Sequence, residues 1–170
     1  MSASGYSKGE VVMYSTNGIC VVDDIQKMLF PMEREEKTYY VLRPVSSRNS
    51  TLFVPSDNEL LMSKVRRLLT KEEIDEAIVG CDDMGKWIEN RNARYAYFNT
   101  VLKNGNPREL LSVIKCIYAR KAWTLEVGKK LANADEIVLS SAERLVREEF
   151  AYTLGIEEGE VAEYIRVKSE

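Results

Sequence analysis

GEVVMYSTNGICVVDDI, residues 9–25, is the stretch on which the fold class turns. Gly9 to Tyr14 and Ile19 to Ile25 are two strand-length runs rich in Val, Ile and Tyr. Asn17-Gly18 between them is the dipeptide that tolerates positive φ, so the pair predicts an antiparallel hairpin with a tight turn. Working outward, Thr38 to Val45 and Thr51 to Val54 have the same β-branched and aromatic character. A charged connection, Glu33 to Lys37, precedes the third run, and a polar turn, Ser46 to Ser50, precedes the fourth. Four or five short antiparallel strands of this kind are expected to curl into a small barrel occupying residues 1–68.

After Pro55 the period changes. Thr70 followed by Glu73 is a capping-box start and Gly80 a natural stop, predicting a helix between them. Asp82 or Asp83 is expected to cap a helix beginning near Lys86, with Ile88, Tyr95, Phe98 and Leu102 along its inner stripe. Asn104-Gly105-Asn106-Pro107 is a helix-to-helix joint in which Gly ends one helix, Asn106 caps the next, Pro107 takes N1 and Glu109 takes N3. The second helix of that hairpin is expected to turn Leu110, Leu111, Val113, Ile114, Ile117 and Tyr118 inward. Ser140 with Glu143 suggests a further capped helix ending at Gly155, and an acidic helix is expected over 157–168. The fold class expected is therefore α+β: an amino-terminal β-barrel over 1–68 and a compact all-α domain over 69–170.

Composition narrows the chemistry. The chain contains no histidine, which removes the commonest general base and the commonest metal ligand. The acid pairs Glu35-Glu36 and Glu157-Glu158 fall in predicted turns or helix ends with no nucleophile or phosphate loop nearby. No catalytic, cofactor or metal site is expected. Cys20, Cys81 and Cys116 are odd in number and widely spaced, reading as small buried hydrophobes of a reducing compartment. No apolar run reaches the ~18 to 20 residues that a membrane span needs. The expectation is a cytoplasmic protein, without a membrane partner and monomeric in solution.

Charge is unevenly distributed. Residues 82–130 carry a net +5 inside a chain whose net charge is −3, while residues 131–170 carry −6. A basic block in an acidic chain hints at a polyanion-facing surface. Within it, Trp87, Asn90, Arg91 and Arg94 fall on one face if the helix runs through them. An indole beside guanidinium groups suits nucleic acid, because an apolar wedge can enter a base step while cations hold the flanking phosphates. Trp at a helix start is, however, more often a core or domain-interface residue.

The order of these segments resembles the CarD/CdnL-type bacterial transcription regulators. The likeness is carried by Gly9 to Tyr14 with Asn17 to Val22, Tyr39-Tyr40-Val41-Leu42, Thr51 to Pro55 with Asn58, the Trp87-to-Gly105 segment, and Leu139 to Leu145. The resemblance implies a Tudor-like amino-terminal domain binding the β subunit of RNA polymerase. It also implies a helical domain holding promoter DNA, without base-sequence readout, at the upstream edge of the melted region, where a tryptophan wedges into the minor groove and prolongs the open complex. It places polymerase contact at Met28 and Phe53, apolar here, with Lys27 and Arg48 as the alternative source of charge and Thr51 beside them, and it gives Trp87 the wedge role; the basic block adds Lys86, Asn90, Arg91, Arg94, Arg120 and Lys121 as the expected DNA contacts. Aligning Arg94-Tyr95 through Asn104-Gly105 on the family pattern puts the wedge position at Arg91, one turn after Trp87. An adaptor that binds proteins through both domains, without touching DNA, is the competing reading.

Overall fold

The chain divides into two compact units, residues 1–68 and 69–170. A computed structural model describes residues 5–81 and 87–170.

The first unit is a five-stranded antiparallel sheet. Its strands are β1 (Val11–Tyr14), β2 (Ile19–Met28), β3 (Lys37–Pro44), β4 (Leu52–Pro55) and β5 (Val65–Arg67), in the spatial order β4-β3-β2-β1-β5. A single-turn helix, α1 (Glu59–Met62), links β4 to β5 and is capped by the Asn58 side chain, which accepts from the Leu61 N–H at 3.0 Å. Alternation along the strands brings Val12, Cys20, Val22, Leu42, Val54 and Val65 together in one fully buried cluster. Tyr6, Tyr14, Tyr40, Leu52, Leu61 and Met62 pack around it.

Two expectations are corrected here. The sheet does not close into a barrel: β4 and β5 stand at opposite edges of the order with no ladder between them. Both edge strands are short, β5 with three residues and β4 with four, ending at Pro55. The first turn is also longer than a two-residue Asn-Gly turn. Ser15–Asn17 form a 3-10 turn in which Ser15 (φ 47°) and Gly18 (φ 76°), not Asn17, take the positive dihedrals, and the Tyr14 N–H bonds the Gly18 carbonyl at 3.0 Å.

The second unit is helical: α2 (Lys71–Gly80), α3 (Arg91–Asn104), α4 (Pro107–Glu126), α5 (Asn133–Leu154) and α6 (Val161–Ser169). Thr70 and Glu73 form the expected reciprocal capping box on α2. The α3–α4 joint also follows the sequence: Gly105 is left-handed, and Asn106 Oδ1 accepts from the N–H groups of Arg108 and Glu109 with Pro107 at the first helical position. Phe98, Ile74, Ile78, Leu110, Ile117, Leu145 and Phe150 are the large side chains that fill the core.

Helix starts and the burial of one side chain differ from expectation. The third helix begins at Arg91 rather than near Lys86, because Asn90 caps it by accepting the Ala93 N–H at 2.9 Å. Residues 82–86, including the expected caps Asp82 and Asp83, lie outside the described residues. The fifth helix begins at Asn133, two turns before Ser140, since its apolar stripe already includes Val138 and Leu139 and Asp135 and Glu136 complement the positive end of the helix. Tyr118, expected inside, is 47 % exposed, and its hydroxyl donates to Glu143 Oε2 at 2.7 Å.

Candidate functional site

On the β unit the residues of interest lie along an open edge. β4 pairs with β3 on one side only, with Val41 opposite Phe53 and Tyr40 opposite Val54. Alternation sends Val54 into the core and leaves Phe53 on the other face, 41 % exposed. Phe53 is not loose. Its ring meets Phe30 edge-on at 5.7 Å, and Phe30 meets Tyr39 edge-on at 5.1 Å. The Tyr39 hydroxyl donates to Glu33, whose other oxygen accepts the Phe30 N–H at 3.1 Å. That bond to Glu33 pushes the Tyr39 pKa up to about 12 and holds the Glu33 carboxyl below the usual range. The connection between β2 and β3, expected only as a charged loop, is thus tied down to carry an aromatic row beside the edge.

The other expected polymerase contacts are split between this edge and the end of β2, with β3 between them. Lys27 and Met28 end β2, opposite Thr38 and Lys37. Thr51 is exposed just before the other end of β4, and Arg48 lies in the preceding turn, where its carbonyl accepts from Arg43 at 3.0 Å. Lys27 and Met28 are two strands in from β4, so at ~3.3 Å per residue an added strand of four or five residues would pass Phe53 and Thr51 but not that pair.

In the helical unit the expected DNA-binding residues separate into three environments. Trp87 precedes α3 in non-helical backbone and is partly buried. Its ring packs edge-on against the fully buried Phe98 at 6.1 Å, with the guanidinium carbons of Arg94 and Arg120 at 4.7 and 5.2 Å from its centroid. The helical face expected to join Trp87, Asn90, Arg91 and Arg94 therefore does not form as such. Asn90 is engaged as the α3 cap.

Arg94 is turned inward. It is 6 % exposed and grips the buried Asp135 with Nε at 3.0 Å and Nη2 at 3.2 Å, while Nη1 donates to the carbonyls of Ile88 at 3.0 Å and Glu89 at 3.4 Å. Burial opposes its charge, and the Asp135 carboxylate more than offsets this, so its pKa lies above the ordinary arginine value. Its expected role as a phosphate contact gives way to an internal one: it ties the segment before α3 to α5.

The outward cations are Arg91, Arg120 and Lys121. Arg91 is exposed at the first position of α3, a helix with no acid in its first turn. A cation at the positive end of a helix dipole is locally unfavourable, and it concentrates positive potential there. Arg120 pairs loosely with Glu89 at 3.4 Å, and Lys121 with Glu136 at 3.1 Å. Lys86 lies outside the described residues.

Sequence reasoning missed Trp123. It is 45 % exposed on α4, and Arg120, three residues earlier, stacks on it at 4.2 Å. The i, i+3 spacing of Arg and Trp was the available signal. No helix among the described residues is long and apolar enough to cross a membrane.

Comparison with known proteins agrees with the β unit. Residues 6–66 match the family model described as the CarD-like/TRCF RID domain. No curated protein matches the chain.

Proposed function

We propose, from the match of residues 6–66 to the CarD-like/TRCF RID domain, an RNA polymerase-interacting domain of transcription-related proteins, that the chain is a bacterial, non-catalytic regulator that acts with two hands. The β unit docks on the polymerase β subunit by adding a strand of that subunit to the free edge of β4. The helical unit holds promoter DNA at the upstream edge of the melted bubble. The family match carries the polymerase half of this reading. The open edge of β4 with Phe53 exposed on it supports the docking mode, because main-chain hydrogen bonds give affinity and alternate side chains give specificity. Thr51 and Arg48 lie at and before the start of that edge strand, while Lys27 and Met28 end β2, two strands in.

The basic segment and the indoles support the DNA half. Unstacking a base step takes a few kcal/mol, and a wedge at an already melted junction avoids much of it, so a fork is favoured over intact duplex. Trp87 is the wedge in this reading, braced against Phe98, with Arg91, Arg120 and Lys121 toward phosphate. The whole chain is net negative, so free DNA binds weakly, and tethering through polymerase supplies the local concentration.

The test separates the two hands. Phe53→Glu places a charge on the docking edge and should abolish co-purification of RNA polymerase β subunit while leaving fork-DNA binding unchanged. Trp87→Ala should shorten open-complex lifetime with polymerase binding intact. Normal lifetimes in the Trp87 variant would assign that indole to packing alone, and loss of neither activity in the Phe53 variant would remove β4 as the docking edge.

A further inference from the structure

Resting on the DNA-holding reading above, we infer that Trp123, held by Arg120 on the outer surface of α4, is a stacking platform for an unpaired base of forked nucleic acid. The two tryptophans are differently placed. Trp87 is partly buried and spends one edge on Phe98. Trp123 is 45 % exposed and has a guanidinium 4.2 Å from its centroid. That guanidinium belongs to Arg120, which also lies 5.2 Å from the Trp87 centroid, so one cation fixes the second indole relative to the first. An exposed indole with a restrained orientation loses little entropy on stacking, and every nucleobase offers it a π-face.

The surroundings offer a phosphate backbone cations to meet. Lys121 and Lys130 line an open cavity of about 380 Å³ along the adjacent stripe of α4, together with Leu125, Leu131 and Glu136, and Lys129 is exposed beside them. Lys129 and Lys130 follow the carboxyl end of α4, where cations offset the negative pole of the helix that would otherwise repel phosphate. Acids are present too: Glu89 on Arg120, Glu136 on Lys121, and exposed Glu126. Both ion pairs are solvent-exposed on at least one side and therefore weak enough for a phosphate to displace the carboxylate. With charge so balanced, stacking rather than Coulomb attraction carries this site, and that sets its signature: removing Trp123 lowers affinity without changing the dependence on salt.

The experiment uses the full chain and two single-tryptophan variants, Trp87→Phe and Trp123→Phe, titrated with a fluorescein-labelled forked oligonucleotide and with its blunt duplex. Anisotropy reports binding and indole emission reports stacking. The expected result is strong quenching of Trp123 in Trp87→Phe by the fork and little by the duplex. Trp123→Ala should weaken fork binding by roughly fivefold to a hundredfold, with the salt slope kept. A flattened slope for Arg91→Glu serves as the contrast. If the fork binds and quenches only Trp87, the inference is overturned while the wedge reading stands. Unchanged fork affinity in Trp123→Ala together with loss of polymerase binding would make the indole a protein contact and overturn it as well. Failure of the unsubstituted chain to bind any fork even at low ionic strength, where phosphate contacts are strongest, would remove both.

Discussion

Arg94 shows how one side chain can mislead a linear reading. Its position beside Arg91 in a basic block suggested phosphate contact, yet it is 6 % exposed and pairs with Asp135, itself 2 % exposed. The partner lies 41 residues away on α5, and no local pattern announces it. A buried pair is costly to break, because removing one member strands the other charge in a low-dielectric interior. Asp135→Ala should therefore destabilise the helical unit by about 3–5 kcal/mol in denaturant unfolding. A change below ~1 kcal/mol would show that Arg94 finds solvent readily. The same residue is held in place by the Ile88 and Glu89 carbonyls, so the variant should also loosen the segment carrying Trp87.

At the scale of elements, local chemistry determined the helix ends that carry their own caps. Thr70 and Glu73 cap α2 reciprocally, so Thr70→Ala should cost ~1 kcal/mol in thermal or chemical unfolding. Gly105 ends α3 at φ 66°, a left-handed conformation in which a Cβ is strained even though nothing lies within 4 Å of the added atom. Gly105→Ala should destabilise by ~1 kcal/mol through backbone strain alone, and an increase in melting temperature would contradict that account. The start of α5 was missed for the complementary reason. Ala132 gives it no side-chain cap, whereas Ser140 and Glu143 imitate a capping box in mid-helix. The strands show the same division. Runs 19–25 and 38–45 were legible from alternation, while the three-residue β5 exists only because β1 offers it a partner, with Val12 opposite Arg67 and Tyr14 opposite Val65.

At the scale of the whole molecule, pH and salt act on different parts. Asp75 on α2 accepts from the Tyr164 hydroxyl of α6 and lies near Lys71 and Lys168, at 3.1 and 3.6 Å. The Tyr164 bond first, then the bond from Lys71 and the charges of Lys168 and Lys71, hold its carboxyl below the ordinary aspartate range despite partial desolvation. A depressed folded-state pKa contributes stability above the unfolded value of about 3.9 and loses it as pH falls through the folded value. Thermal melts of the wild type and Asp75→Asn should therefore differ most near neutrality and converge below pH ~4; parallel curves would show that the carboxylate is not linked to folding. Salt should act on partner binding instead: fork affinity should fall with ionic strength by an exponent of only a few, set by the outward cations Arg91, Arg120 and Lys121 and not by the chain's net −3.

The sequence by itself determined the two-part α+β plan, the capped ends of α2 and α4, the left-handed end of α3, and an absence of histidine that bars the commonest acid–base and metal chemistry. These follow from periodicity and from interactions spanning three or four residues, which a linear string displays. Only the tertiary structure decided that the sheet stays open at β4, that Phe53 faces outward beside Phe30, that Arg94 is spent on Asp135, and that Trp123 rather than Trp87 stands more open to solvent. Each of these depends on which distant surface covers a side chain, and burial is a property of the packed molecule that neighbours in sequence do not encode.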